Sequence, residues 1–344
     1  VSFATLQANG TIGTWSNTSA SLSLYGSRAY YPGAASFGNY VYISGGFDDT
    51  SGTGPYTPSY STKIGKLGSN GDITSWYTTS YRLNTAVAGG SVITAKGYIY
   101  ILGGSTCASN SCATQTPAAS TGTTVVQYAK IYPDGTIGSF TASSNTLPVG
   151  AGLVGGRAIY ANGRIYYVGG LNTSGAAQTS IYYATVNDDG TIGSWSTNAV
   201  SLPAGRAYHG LAALSGNLYV FGGGSSATSG NNTVYYAPFN SNGSVGSASF
   251  TTSTNALTNS VSNFGYAAAN GYMYVLGGYT SSAVSTTQYT STARIKVGAS
   301  LDLVGVSGQN MNDNGLGGSL TAGNTNIVGR FSVTGQSDFL QGVS

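Results

Sequence analysis

Two unlike motifs alternate along this chain, and that alternation limits its fold more than any other feature. An apolar stretch ending in a glycine pair occurs five times: YVYISGG at 40–46, YIYILGG at 98–104, IYYVGG at 165–170, LYVFGG at 218–223 and YMYVLGG at 272–278. A second motif interleaves with it, reading ANGTIGTW to Trp15, SNGDITSW to Trp76, PDGTIGSF to Phe140, DDGTIGSW to Trp195 and SNGSVGSASF to Phe250. Self-similarity at a fixed period marks a repeat architecture, in which each unit buries a face against its neighbour.

Each unit reads as four strands. The fourth repeat shows them best: GRAYHGLAAL, NLYVFGG, NTVYYAPFN and SVGSASF. Short turns such as Ser215-Gly216-Asn217 and Ala161-Asn162-Gly163 join the first strand to the second. Asn-Gly or Asp-Gly at 9–10, 70–71, 134–135, 189–190 and 242–243 joins the third to the fourth. These dipeptides tolerate positive φ and signal tight hairpins. No segment holds a 3.6-residue apolar period over two or three turns, so helix is expected to be nearly absent. Four-stranded units repeating at this length predict a β-propeller.

Composition agrees. Charged residues are 6% of the 344, against about 25% in an average chain, while Gly reaches 53 and Tyr 27. Low charge and abundant Gly, Ser, Thr and Asn would read as disorder, but the apolar residues recur in regular blocks. The 12 Lys and Arg are scattered, whereas a nucleic-acid surface needs them clustered, so no nucleic-acid partner is expected. No run of about 18 apolar residues predicts a membrane span. The first residue is Val1, which reads as a mature product or a piece of something longer. Cys107 and Cys112, in CASNSC, are spaced unlike a zinc site, and a loop-stapling disulfide is expected, which implies an oxidising compartment. Sequons at Asn9, Asn17, Asn172, Asn231 and Asn242 fit exposure outside the cell.

A hydrophobic strand, a glycine pair, then Tyr and Trp at set distances resembles the kelch repeat. Gly169-Gly170, Tyr182/Tyr183 and Trp195 carry the resemblance, as do Gly222-Gly223, Tyr235/Tyr236 and Phe250, over about residues 1–290. The first copy has Ile64 at the Tyr position, and the last has no clear Trp. The resemblance implies a kelch-type propeller. The chain begins with third- and fourth-strand motifs and ends its repeats with a first and second. The simplest closure therefore pairs residues 2–15 with the strand at 272–278, giving five blades. Six follow if STARIKVGASLDLV after 291 supplies a strand pair, with 286–305 completing the last blade. We divide the chain into a propeller over 1–297 and a β-rich stem or linker over 298–344. The apolar positions Ile327, Phe331, Val333, Phe339 and Val343 suggest that this tail engages another chain or a continuing stem.

Catalytic readings fare poorly. Galactose oxidase, a copper enzyme of the kelch group, needs two histidines, and His209 is the only one here. Sialidases carry an aspartate box resembling NDDGTIGSW, but its Gly-to-Trp spacing here is too long. No nucleophile–base pair is visible, and no enzyme is expected. Arg28, Arg82 and Arg206 precede first strands, Arg157 occupies a corresponding region, and together they are candidates for a carboxylate-binding cluster at one channel end. Asp48-Asp49, in a loop after a glycine pair, is a weak calcium candidate; otherwise neither metal nor cofactor is expected. The stretches after the glycine pairs are long and rich in Tyr, Ser and Asn, at 47–58, 105–122, 171–179, 224–232 and 279–287. Binding concentrates on such loops, which makes Phe47, Asp48, Asp49, Arg28, Arg82, Arg206, Tyr208, His209 and Tyr279 the candidate ligand residues. The expected function is a non-catalytic extracellular binding or adhesion module on a cell surface or fibre, its partner a protein or glycan, with self-assembly or attachment to a longer fibre. Two alternatives are a structural subunit of an extracellular filament or surface layer, and a glycan-active propeller enzyme.

Overall fold

The computed structural model describes residues 1–7, 9–22, 28–49, 57–107, 117–227, 229–280 and 292–296, with backbone alone at 28–30, 48, 49 and 292–296. The repeats fold as their pattern requires. The described residues are all-β, with one 3-10 turn at Ala119–Thr121 and no α-helix among them. Four antiparallel sheets each hold four strands in sequential order. The first comprises Gly33–Phe37, Tyr40–Ser44, Thr62–Leu67 and Ile73–Thr78, and the second Ser91–Ala95, Tyr98–Leu102, Val126–Lys130 and Thr141–Ala142. The third comprises Arg157–Ala161, Arg164–Val168, Ile181–Thr185 and Ser196–Thr197, and the fourth Gly210–Leu214, Asn217–Phe221, Val234–Pro238 and Thr251–Thr252. A fifth sheet has three described strands, Gly265–Ala269, Tyr272–Leu276 and Thr292–Lys296. The first strands of successive sheets lie side by side from the first sheet to the fifth, a β-propeller-like arrangement. At the first turn of each sheet a left-handed residue precedes or accompanies a glycine, as at Asn162-Gly163 with φ 51° and 73°, which suits a tight hairpin.

The core lies in the seams between sheets. Tyr100, Leu102 and Val126 of the second sheet pack with Ile165 and Tyr167 of the third, and Tyr166, Val168 and Ile181 pack with Leu218, Val220 and Tyr235 of the fourth. Burying each aliphatic side chain contributes about 1.5–3 kcal/mol, so every sheet depends on its neighbours. A repeated set of polar links spans the seams between the first four sheets. Three residues before the glycine pair, a buried Tyr hydroxyl donates to the hairpin glycine carbonyl of the next sheet. These links are Tyr42 to Gly135 at 3.0 Å, Tyr100 to Gly190 at 2.8 Å and Tyr166 to Gly243 at 2.9 Å. The glycine pair serves the same seam through its backbone. The Gly170 amide donates to the Arg206 carbonyl at 2.8 Å, and a Cβ on Gly169 would overlap that carbonyl. Gly46, Gly104 and Gly223 make the same bond to Val87, Leu153 and Val261.

The N-terminal segment corrects one expectation. Residues 2–15 do not pair with the strand at 272–278, because Tyr272–Leu276 is flanked by Gly265–Ala269 and Thr292–Lys296. Instead Ser2–Phe3 pairs with Ser16–Asn17 in a hairpin of its own. That hairpin reproduces the third-to-fourth-strand hairpins of the second, third and fourth sheets. Its Leu6↔Ile12 bridge matches Ile131↔Ile137, Val186↔Ile192 and Phe239↔Val245. Its flanks match too. Tyr274 donates to the Gly10 carbonyl at 3.0 Å, as Tyr42, Tyr100 and Tyr166 do to the sheets that follow theirs. Asp72 of the first sheet accepts from the Ser19 amide at 2.8 Å, and Ala20 donates to the Ile73 carbonyl at 3.1 Å. Asn145 and Asn198 make the corresponding links to Ile192 and Val245 in the next sheets. The hairpin thus follows the fifth sheet and precedes the first. The sequence pattern misled because half-units at both ends suggest one shared blade, whereas the third strand of the fifth sheet comes from 292–296.

Candidate functional site

The first strands of the first, second, third and fifth sheets enclose a cavity of about 750 Å³. A belt of left-handed residues frames the end where the sheets connect. Tyr31, Gly89, Gly155, Tyr208 and Asn263 occupy the same place in successive sheets, with φ of 54°, 68°, 69°, 54° and 50°. Each amide donates to the preceding member's carbonyl: Gly89 to Tyr31 at 3.0 Å, Gly155 to Gly89 at 3.3 Å, Tyr208 to Gly155 at 2.7 Å and Asn263 to Tyr208 at 2.9 Å. Positive φ is costly for a non-glycine residue, and the fit between members holds it here. A Cβ on Gly155 would stand 2.7 Å from Tyr208 Cζ, so the missing side chain makes room for the tyrosine of the next member. Tyr208 meets Tyr31 edge-on, with ring centroids 6.0 Å apart.

Arg157, first residue of the third sheet, lines the cavity at this end together with Tyr31, Asn263, Tyr266 and Tyr279. Its one hydrogen bond among the described residues runs from Nε to the His209 carbonyl at 3.3 Å. Among the described residues the cavity walls carry no carboxylate, and their other cation, Lys96, sits at the far turn and pairs with Asp188 at 2.7 Å. Around Arg157 are buried polar atoms with no hydrogen-bond partner: the Tyr167 and Tyr208 hydroxyls and both ring nitrogens of His209. Burial raises the pKa of both tyrosines, opposed in each by the Arg157 charge. Burial first, then Arg157 and Arg206, push the His209 pKa well below its usual value, so the ring is neutral. Unsatisfied buried groups are rare and ask for an explanation.

Of the four arginines expected to cluster, two are held away from the cavity. Arg82 is exposed and away from the cavity. Arg206 is buried within the fourth sheet, donating to Thr233 Oγ1 at 2.7 Å and Tyr235 Oη at 3.0 Å, with its guanidinium 5.0 Å from the Tyr235 ring centre. Desolvation lowers its pKa. The backbone places Arg28 opposite Asp49 and Ala29 opposite Asp48 in a strand pair, Arg28–Tyr30 with Phe47–Asp49. Asp48 and Asp49 therefore lie on a strand, paired also to Thr57–Pro58, and not in the loop expected. Among the described residues no group of three potential metal ligands occurs. Phe47 is buried with Ala88 and Cys107, Tyr208 and His209 are buried at the belt, and Tyr279 reaches the cavity. Cys112, and with it the expected bridge to Cys107, lies outside the described residues, as does the 298–344 tail. Sequence reasoning missed Tyr31 and Asn263. The signal was the shared repeat position of Gly89, Gly155 and Asn263, residue types that tolerate left-handed backbone.

The fold and cavity define an all-β, propeller-like protein. No family model and no curated protein matches the chain. Among solved structures, that of YjhT is similar, with a TM-score of 0.59 at 14% identity, covering 78% of this chain and 82% of that one. At that identity the likeness concerns the fold alone. No helix among the described residues is long and apolar enough to cross a membrane.

Proposed function

We propose that this chain is a non-catalytic, extracellular binding module of kelch-type propeller design, which holds a small polar ligand at the belt end of its central cavity. One observation carries the reading: a framed cavity whose belt end offers tyrosines, an asparagine and an arginine without a counter-charge. Ligand sites are concave, with a few convergent polar groups. The described wall residues include no paired carboxylates and no nucleophile–base pair, which favours binding over hydrolysis. The seam links support a plan of six units over the five first expected. The N-terminal hairpin is read as the outer half of a unit between the fifth sheet and the first, supported by its links to Tyr274 on one side and Asp72 on the other. The sequons fit exposure and support display on a cell or fibre surface.

A glycan array probed with the purified chain tests the reading. Binding to a defined subset, lost when Tyr279 and Asn263 are both changed to Ala, is the expected result. An empty array, together with regular filaments in negative stain, would replace it with the structural-subunit alternative.

A further inference from the structure

We infer that the ligand of this cavity is a carboxylate-bearing sugar, with Arg157 as the anchor for its carboxylate. This rests on the binding reading above and adds the charge of the ligand to it. The argument starts from charge balance. Arg157 is half-buried at the cavity wall, and a cation partly withdrawn from water gains from an anionic partner. The other cations for which the structure gives side-chain contacts near the channel are accounted for: Lys96 pairs with Asp188, and Arg206 is held by Thr233 and Tyr235 and lies over a ring. Arg157 has a carbonyl contact at 3.3 Å from Nε, which leaves both terminal nitrogens for an incoming group. A planar fork of donors matches the two oxygens of a carboxylate. No carboxylate among the described wall residues takes that place.

The surroundings point the same way. Tyr167, Tyr208 and His209 lie close enough to Arg157 for its charge to act on each. Their unpartnered hydroxyls and neutral imidazole do not compete for the guanidinium as an acid would. The rest of the belt end suits a sugar ring. Tyr31, Tyr266 and Tyr279 supply aromatic surface, and Asn263 supplies a neutral polar group. The cavity, at about 750 Å³, has room for one or two sugar residues.

The test compares galacturonate with galactose, which differ in the carboxylate, by saturation-transfer NMR and calorimetry on the full chain. Galacturonate is expected to bind at least tenfold more tightly than galactose. Arg157→Gln is expected to abolish that preference, while Arg82→Gln, at an exposed position off the cavity, keeps it. A circular dichroism melt shows that Arg157→Gln remains folded, and Arg157→Lys, which keeps charge without the fork, is expected to retain part of the preference. Equal binding of the two sugars would overturn the anion assignment and leave the binding reading standing. No binding of galacturonate, or unchanged preference in a folded Arg157→Gln, would overturn the assignment outright.

Discussion

His209 shows how burial sets chemistry at the scale of a single residue. Its imidazole is fully enclosed, has no hydrogen-bond partner and sits near two arginines, so protonation is disfavoured in the folded state. In the unfolded chain it titrates near pH 6.5. With the folded pKa depressed, acid below about 6.5 protonates the unfolded chain but not the folded one, and stability falls. The melting temperature should therefore drop between pH 7 and 5, and His209→Gln should flatten that slope. Asp72, Asp134 and Asp189, held below the usual carboxylate range chiefly by hydroxyl hydrogen bonds, contribute stability that is lost at lower pH still. A slope unchanged in His209→Gln would place the effect elsewhere. Tyr166 offers a second test. Its hydroxyl, pushed up to about 12 by burial, bonds the Gly243 carbonyl. Tyr166→Phe strands that acceptor and should cost about 1–2 kcal/mol in urea unfolding. Tyr219 holds the same repeat position in the fourth sheet but is half-buried, and its hydroxyl has no partner among the described residues. Tyr219→Phe should be close to neutral, and equal costs for the two would undo the seam argument.

At the scale of the element, the repeat was legible and the seams were not. The glycine pairs, Asx-Gly hairpins and alternating strands marked each four-stranded sheet, because those residue types answer to local backbone demands. The sequence could not show that the glycine pair is also a docking point for the next sheet, since Arg206 and Gly170 are far apart in the chain. Nor could Arg206 be told from Arg157. Both precede or open a first strand, and only packing turns one into its sheet and the other towards the cavity. Asn198 illustrates the hidden layer. Its amide accepts from the Val245 amide at 2.8 Å and donates to the Val245 carbonyl at 2.8 Å, across a buried seam. Asn198→Ala leaves two buried backbone groups unpaired and should cost about 2–4 kcal/mol. A loss under about 1 kcal/mol in denaturant titration would mean that water replaces the amide.

Over the whole molecule, stability is shared through nearest-neighbour seams, so the N-terminal hairpin should act at a distance in sequence. It abuts the fifth sheet through Gly10 and the first through Ser19 and Ala20. Removing residues 1–20 should speed hydrogen exchange in 265–276 and at 72–73, and leave 158–168 near its original rate. Uniform acceleration throughout, or none, would show that the seams are not the units of cooperation.

The belt has a further consequence. Its members meet amide to carbonyl, and hydrogen-bonded backbones stand about 4.8 Å apart. In the proposed closed propeller the perimeter of the entrance is then a count of repeats multiplied by a constant, and no side chain enters the product. Substitutions at Arg157, Tyr279 or Asn263 alter what the entrance attracts, but its bore changes only in whole steps, by gain or loss of a repeat. Size selection and chemical selection are thus written in separate parts of the chain, one in repeat number and the other in a handful of side chains.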